Sequence, residues 1–273
     1  MDQVITSRQN TIVKFIRGLR DKRSRDREKR FVIEGVKMLS EAFDSGIYPE
    51  QVIVSEGAQS QPAVKELLAR LGQGPQVIRT SDGVMEYMCE TETPQGILAL
   101  VPMREILLTG LDINPSSIIV VMDGVQDPGN VGTIIRAADA FDAHAVLLTG
   151  YCADLYNAKT LRSTMGSLFH IPVIAGIDVN GLVDFFRLSG VAMAVTCLEK
   201  TSVDIDQAVL DRPLALVFGS EARGVSPELA HAANQKIKIP MAGMAESLNV
   251  AVAAGIVLYE VFRRHGSKAK SNL

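Results

Sequence analysis

The chain has 273 residues, 47% of them hydrophobic and 22% charged, with a formal net charge of −3. These are the proportions of a soluble globular protein, long enough for two domains of ordinary size and for a large core without disulfides or metals. Three widely separated cysteines (Cys89, Cys152 and Cys197), no CxxC pair and four scattered histidines predict reduced thiols, with neither a disulfide framework nor a structural zinc site.

In chain order, Met1 to Asn10 is polar and lacks the apolar core of a secretory signal. The most apolar stretch, Val250 to Val257, is too short to span a bilayer, so a cytoplasmic location is the expectation. The small net charge hides an asymmetry. Met1 to Lys37 holds eleven Lys and Arg against five Asp and Glu, a balance of +6 that leaves −9 on the remainder. The basic residues are densest from Arg17 to Arg30, RGLRDKRSRDREKR. Arg17, Arg20, Lys22 and Arg23 are therefore candidate phosphate contacts, since clustered cations gain affinity for nucleic acid by counterion release. A solvated helix face with local ion pairs to Asp21, Asp26 and Glu28 accounts for the same residues.

Ile12, Val13, Phe15, Ile16 and Leu19 recur at helical spacing. A strand (Phe31–Ile33) and a helix through Val36, Leu39 and Phe43 follow, the helix stopped by Gly46. QVIVSE, AVKELLARLG, QVIRTS, SDGVMEYMCETE and QGILALVP continue as strand, helix, strand, helix and strand. The alternation predicts a small α/β domain over residues 1–104. Residues 105–117, with Gly110, Asn114 and Pro115, read as a linker. Residues 118–273 restart the alternation with strands IIVVM, AVLLTG, IPVI, VAMAVTC, LALVFG and KIKIP. These near-continuous apolar runs predict a parallel sheet covered on both faces. The polar residues from Arg263 onwards are expected to fray.

Three blocks of this second region share a pattern: an apolar strand that ends in a loop of small and polar residues. In an open α/β sheet such loops, at the carboxyl ends of strands, build the ligand site. In the first, MDGVQDPGNVGTIIRAADAF, Asn130 is a candidate N-cap for a helix starting near Val131, with Arg136 on its second turn. Arg136 there could reach an anion or a hydroxyl near the helix start, or simply pair with Asp139 or Asp142. In the second, LALVFGSEARGVS, Gly219 would let a ligand approach the backbone, Glu221 could accept hydrogen bonds, and Ser226 could cap a helix opened by Pro227. In the third, IKIPMAGMAESLNVAVAAGIVLYE, Ser247 or Asn249 could cap a long helix, while main-chain groups at Ile239 and Leu248 could hold an adenine edge. GxGxxG, GxxxxGK[ST], GxSxG and HExxH are all absent, which disfavours dinucleotide oxidoreductases, P-loop nucleotidases, serine hydrolases and zinc proteases.

NxxGTIIRAADAF, LVFGSEARGVS and IPMAGMAESLNVAVAAGIVLYE resemble, in that order, the three motifs of the SpoU/TrmH class of RNA ribose 2′-O-methyltransferases in the SPOUT superfamily. FVIEGVKMLSEAF and its surroundings resemble the small α/β domain, related to ribosomal RNA-binding proteins, that many members carry ahead of the catalytic domain. The resemblance implies a SPOUT-type parallel sheet whose C-terminal chain forms a trefoil knot. It also implies S-adenosylmethionine as methyl donor, a homodimer, and a structured RNA as substrate, ribosomal ahead of transfer RNA. By position it implies cofactor contacts at Gly219, Ile239 and Leu248, a catalytic role for Arg136 on the target hydroxyl, and polar roles for Asn130, Glu221, Ser247 and Asn249. No metal is implied. Ala251 stands where many relatives have Ser. An RNA-binding or ribosome-assembly factor that keeps this fold without activity is the alternative, with a base-directed methyltransferase and a small-molecule nucleotide enzyme behind it.

Overall fold

The computed structural model of the chain describes residues 4–72 and 74–265. The chain divides into two compact units, Met1–Glu105 with Tyr156–His170, and Ile106–Leu155 with Ile171–Leu273.

The first unit runs α1 (Thr11–Gly18), α2 (Lys22–Glu28), β1 (Arg30–Glu34), α3 (Val36–Asp44), β2 (Gln51–Ser55), α4 (Pro62–Leu71), β3 (Gln76–Thr80), α5 (Asp82–Met88) and β4 (Ile97–Pro102). Its sheet has the order β1-β4-β2-β3, with β2 and β3 parallel and the other pairs antiparallel. Successive strand side chains point to opposite faces. Accordingly Val52, Val54, Ile97, Ala99 and Val101 join one core with α3 and α4, while Ile53, Leu98 and Leu100 join another with α1 and α5.

The second unit begins with β5 (Ile118–Asp123), α6 (Pro128–Ala140) and β6 (Ala145–Thr149). The chain then leaves the sheet. Tyr156–His170, which includes α7 (Ala158–Thr164), belongs to the first unit. Leu161 and Phe169 enter that unit's core, Tyr156 packs its ring 4.6 Å from that of Phe31, and His170 Nε2 stands 3.1 Å from Glu41 Oε2. Gly166, at φ +102°, is a position no larger residue fits, because a Cβ there would lie 2.5 Å from Cγ of Glu41. Strand–helix alternation carries no sign of this excursion, since α7 reads like any other crossover helix.

After it come β7 (Val173–Ile177), α8 (Val179–Ser189), β8 (Ala192–Thr196), β9 (Val203–Asp204), β10 (Leu214–Gly219), α9 (Pro227–Ala232), β11 (Gln235–Lys238) and α10 (Val250–Arg264). All seven strands are parallel, in the order β7-β6-β5-β10-β8-β11-β9. The two-residue β9 has too little apolar sequence to announce itself. β5 is buried along its whole length and β10 up to Phe218, as expected for central strands covered on both faces. From β5 the sheet grows one way through β6 and β7 and the other way through β10, so the topological switch point lies between β5 and β10. Ligands of open α/β sheets bind beyond the carboxyl ends of the strands there.

α10 packs along α6, with Phe141 at the end of α6 lying 6.0 Å from Tyr259 and 5.8 Å from Phe262 between ring centroids. Fraying is expected from Arg263, but the first residues of that stretch are ordered into the helix. Arg263 and Arg264 continue the helix and pair with Glu260, and Arg264 donates to the main-chain carbonyls of Ala208 and Ile205. Gly266–Leu273 lies outside the described residues. Among the described residues no helix is long and apolar enough to cross a membrane.

Candidate active site

The loops after β5, β10 and β11 converge, and three of the predicted side chains meet. Asn130 Nδ2 donates to Glu221 Oε1 at 3.0 Å, and Asn249 Nδ2 donates both to Glu221 Oε1 at 3.0 Å and to Asn130 Oδ1 at 3.0 Å. A carboxylate only accepts, so both amide groups must turn their NH₂ towards it. Asn249 Oδ1 is thereby left for the main-chain N–H of Ala251 (3.0 Å) and Val252 (3.3 Å), making Asn249 the N-cap of α10. Ser247, the other candidate cap, does not cap the helix. Glu221 Oε2 has no hydrogen-bond partner among the described residues, which leaves a carboxylate oxygen free at the centre of the cluster.

Asn130 is not the N-cap of its own helix. α6 starts a turn before the predicted start, at Pro128, and Asp127 caps it by accepting from Asn130 N at 2.9 Å. The Asp–Pro pair carries that signal, because Pro suits the first helical position. Asn130 thus sits inside the first turn, its side chain free for Glu221. Arg136 lies two turns further along α6, exposed and without a side-chain partner among the described residues.

Gly219 owes its smallness to its own loop. A Cβ there would lie 2.2 Å from the main-chain carbon of Gly224 and 2.3 Å from the nitrogen of Val225, because Ser220 and Gly224 exchange main-chain hydrogen bonds of 3.1 and 2.8 Å. Ser226 occupies the N-cap position of α9, yet its hydroxyl makes no cap bond and is buried without a partner among the described residues. Its main-chain N–H donates instead to Asp123 Oδ2 at 2.6 Å.

Asp123 is the residue that sequence reading passed over. It is 5% exposed at the end of β5, and its other oxygen accepts from Thr149 Oγ1 at 3.0 Å, while the same hydroxyl accepts from Gly124 N at 3.1 Å. One buried carboxylate therefore ties together the loops leaving β5, β6 and β10. An acidic residue ending an otherwise apolar central strand was the available signal, since a buried charge persists only where hydrogen bonds satisfy it.

A cavity of about 290 Å³ opens beside the cluster. Leu198, Phe218, Ile239, Met241, Leu248 and Val257 make it apolar, and Ser220, Glu221 and Ser247 add polar groups at one side. Among the described residues, the main-chain groups of Ile239 and Leu248 take part in no main-chain hydrogen bond and are free to meet a ligand. Gly219, Ile239, Leu248, Ser247 and Glu221 thus share one cavity, with Asn130 and Asn249 bonded to Glu221 at its edge.

Of the four candidate RNA contacts, two are engaged with the protein's own main chain. Arg17 donates to the Tyr87 carbonyl (2.6 Å) with its guanidinium 4.0 Å from the Tyr87 ring centroid, and Arg20 donates to the carbonyls of Met88 (3.1 Å) and Cys89 (2.6 Å). Both cap the C-terminal end of α5, where unsatisfied carbonyls attract cations. Lys22 is exposed but paired with Asp26 at 2.7 Å, and Arg23 is exposed with no side-chain partner among the described residues.

Residues 117–259 match the SpoU rRNA Methylase family, and residues 10–99 match the MRM3-like substrate binding domain. The chain is 35% identical to the 23S rRNA (guanosine(2553)-2′-O)-methyltransferase of Bacillus subtilis, over 94% of this chain and 98% of that protein. It is 31% identical to the 23S rRNA (uridine(2479)-2′-O)-methyltransferase of Streptomyces viridochromogenes, over 95% and 92%. A crystal structure of an AdoMet-bound rRNA methyltransferase from Sinorhizobium meliloti superposes with a TM-score of 0.87 at 34% identity, covering 97% of this chain and 99% of that one. Motifs, sheet topology and these likenesses agree, and the chain belongs to the SpoU rRNA methylase family.

Proposed function

We propose that the protein transfers a methyl group from S-adenosylmethionine to a ribose 2′-hydroxyl of ribosomal RNA, in the cytoplasm and as a homodimer with the C-terminal knot of its superfamily. The observation that carries this reading is the Asn130–Glu221–Asn249 cluster at the edge of the apolar cavity. The cavity suits the donor, with apolar walls and free main-chain groups at Ile239 and Leu248 for an adenine, and a carboxylate at Glu221 near a cationic sulfur. When bound, the sulfonium supplies an already electrophilic methyl group.

The remaining task is to make a hydroxyl nucleophilic and to aim it. Glu221 Oε2 accepts a hydrogen bond from the 2′-hydroxyl, and Asn130 and Asn249 hold the carboxylate in place from its other oxygen. Arg136 meets the negative charge that develops on the hydroxyl oxygen. Arg136 is exposed on α6, and α10, packed along α6, carries Val252 (52% exposed), Ile256 (39%) and Tyr259 (53%) as a stripe at helical spacing. That stripe is the surface offered to the second protomer, and Arg136 acts in the assembled protein. On the first unit, Arg23, exposed and without a side-chain partner among the described residues, meets an RNA phosphate.

The test is transfer of tritiated methyl from S-adenosylmethionine to ribosomal RNA and, separately, transfer RNA that lacks the modification, with nuclease mapping of 2′-O-methylnucleotides. Label on ribosomal RNA alone is the expected result. Cofactor binding without label on any RNA or ribosomal particle would leave the inactive RNA-binding reading.

A further inference from the structure

A second cavity, of about 510 Å³, adjoins the first. Ser220, Glu221, Gly224 and Val250 line both, so Glu221 stands where the two meet. The rest of the lining differs in character from the cofactor cavity. Gln126, Asp127 and Asn130 come from the loop after β5 and the start of α6, Arg223 from the loop after β10, and Tyr151 from the turn after β6.

Tyr151 is unusual for a large aromatic residue. It is 79% exposed, and among the described residues neither its ring nor its hydroxyl has a partner. Yet the turn that carries it is fixed. Cys152 N donates to the Thr149 carbonyl (3.2 Å), Ala153 N donates to the Val125 carbonyl (2.8 Å), and the Thr149 hydroxyl is held by Asp123. The same Asp123 carboxylate holds the loop after β10 through Ser226 N. The walls are thus set before any ligand arrives, and an aromatic face is presented on them with nothing covering it. The side chains of Gln126 and Arg223 are likewise exposed and unpartnered among the described residues.

We propose that this cavity receives the acceptor nucleotide, unstacked from its RNA, with the base against the Tyr151 ring and the ribose towards Glu221 and Asn130. Arg223 and Gln126 then meet the phosphate and the edge of the base. The assignment rests on the ribose-methyltransferase reading and locates its acceptor. A 2′-hydroxyl within a helix lies beside stacked bases, and enzymes that need access to one nucleotide turn it out of the stack at an energetic cost. Stacking on an aromatic side chain returns about tenfold or more in affinity per base and is blind to which base is present. A cavity of this size holds a nucleotide-sized ligand.

The experiment compares wild type, Tyr151→Ala and Tyr151→Phe on a ribosomal RNA transcript, with tritiated methyl transfer as readout and calorimetry of S-adenosylmethionine binding as control. Tyr151→Ala should lower kcat/KM for RNA about tenfold, whereas Tyr151→Phe stays near wild type. Cofactor affinity and melting temperature should not move in either, because the side chain is exposed. A second substrate, the same transcript with an abasic ribose at the mapped target, keeps the 2′-hydroxyl and lacks the base. On it the wild type should fall to the Tyr151→Ala level, and Tyr151→Ala should cost nothing more. Equal kcat/KM for wild type and Tyr151→Ala on the intact transcript overturns the proposal, as does an undiminished effect of Tyr151→Ala on the abasic transcript. Failure of the wild type to methylate any RNA would instead remove the underlying enzymatic reading, and the acceptor site with it.

Discussion

The two units use their polar side chains in opposite ways. In the first, three arginines of the basic N-terminal stretch bond the protein's own backbone: Arg17 and Arg20 cap α5, and buried Arg25 donates to the carbonyls of Leu19 (2.6 Å) and Arg20 (2.7 Å). In the second, Asn130, Glu221 and Asn249 bond to one another at the strand ends, with one carboxylate oxygen left over. A cation that satisfies carbonyls stabilises a fold, whereas a cluster with spare hydrogen-bonding capacity is available to a ligand. Charge density in a sequence does not distinguish the two. The partners do.

The sharpest way to break this contrast is Glu221→Gln. It keeps the size of the side chain, but it puts an NH₂ beside two amide donors and removes the charge. Turnover at saturating cofactor should fall about a hundredfold or more, with cofactor affinity changed far less. Full turnover would show that the cluster only caps α10. Arg136→Ala should abolish methyl transfer to a similar degree and leave cofactor binding near wild type, since Arg136 lies outside the apolar cavity proposed for the cofactor. Most of the turnover surviving would remove Arg136 from the mechanism.

The contrast within the basic stretch calls for a separation of variants. Arg20→Ala should destabilise the fold by about 1–2 kcal/mol in urea unfolding, because carbonyls at the end of α5 lose a charged donor. Arg23→Ala should leave stability within about 0.5 kcal/mol of wild type, weaken RNA binding, and reduce the slope of log affinity against log salt by about one. Arg23→Ala with an unchanged salt slope would take Arg23 off the RNA.

Legibility followed the same divide. Apolar periodicity revealed the parallel sheet of the second unit, because strands buried on both faces must be almost wholly apolar. The loops at their ends were legible because Gly219, Asn130 and the Ser247–Asn249 run stand out against ordinary turns. What stayed hidden depends on partners far away in sequence. Asp123 is one charge at a strand end until Ser226, 103 residues later, donates to it. Tyr156–His170 reads as part of a crossover until Leu161 and Phe169 are found in the other unit's core. Local pattern records which face a residue prefers to bury. It does not record what lies there.

The smallest effect concerns the end of α10, where Glu260 joins Arg263 and Arg264. Hydrogen bonds from Arg263 and then Arg264 lower the Glu260 carboxyl from its ordinary value of 4.5 to about 2. A group whose folded-state pKa is depressed contributes stability while it is ionised in both states, and loses it as pH falls through the folded-state value. The contribution should therefore be complete above pH 4.5 and should fade between there and pH 2. Arg263, the first of its partners, is 58% exposed, so salt screening keeps the contribution small. Glu260→Gln should lower the unfolding midpoint slightly at pH 7, and the gap should narrow as the pH is brought towards 3. A gap independent of pH would mean that Arg264 holds the Ala208 and Ile205 carbonyls without help from the carboxylate, making its main-chain bonds the anchor of α10.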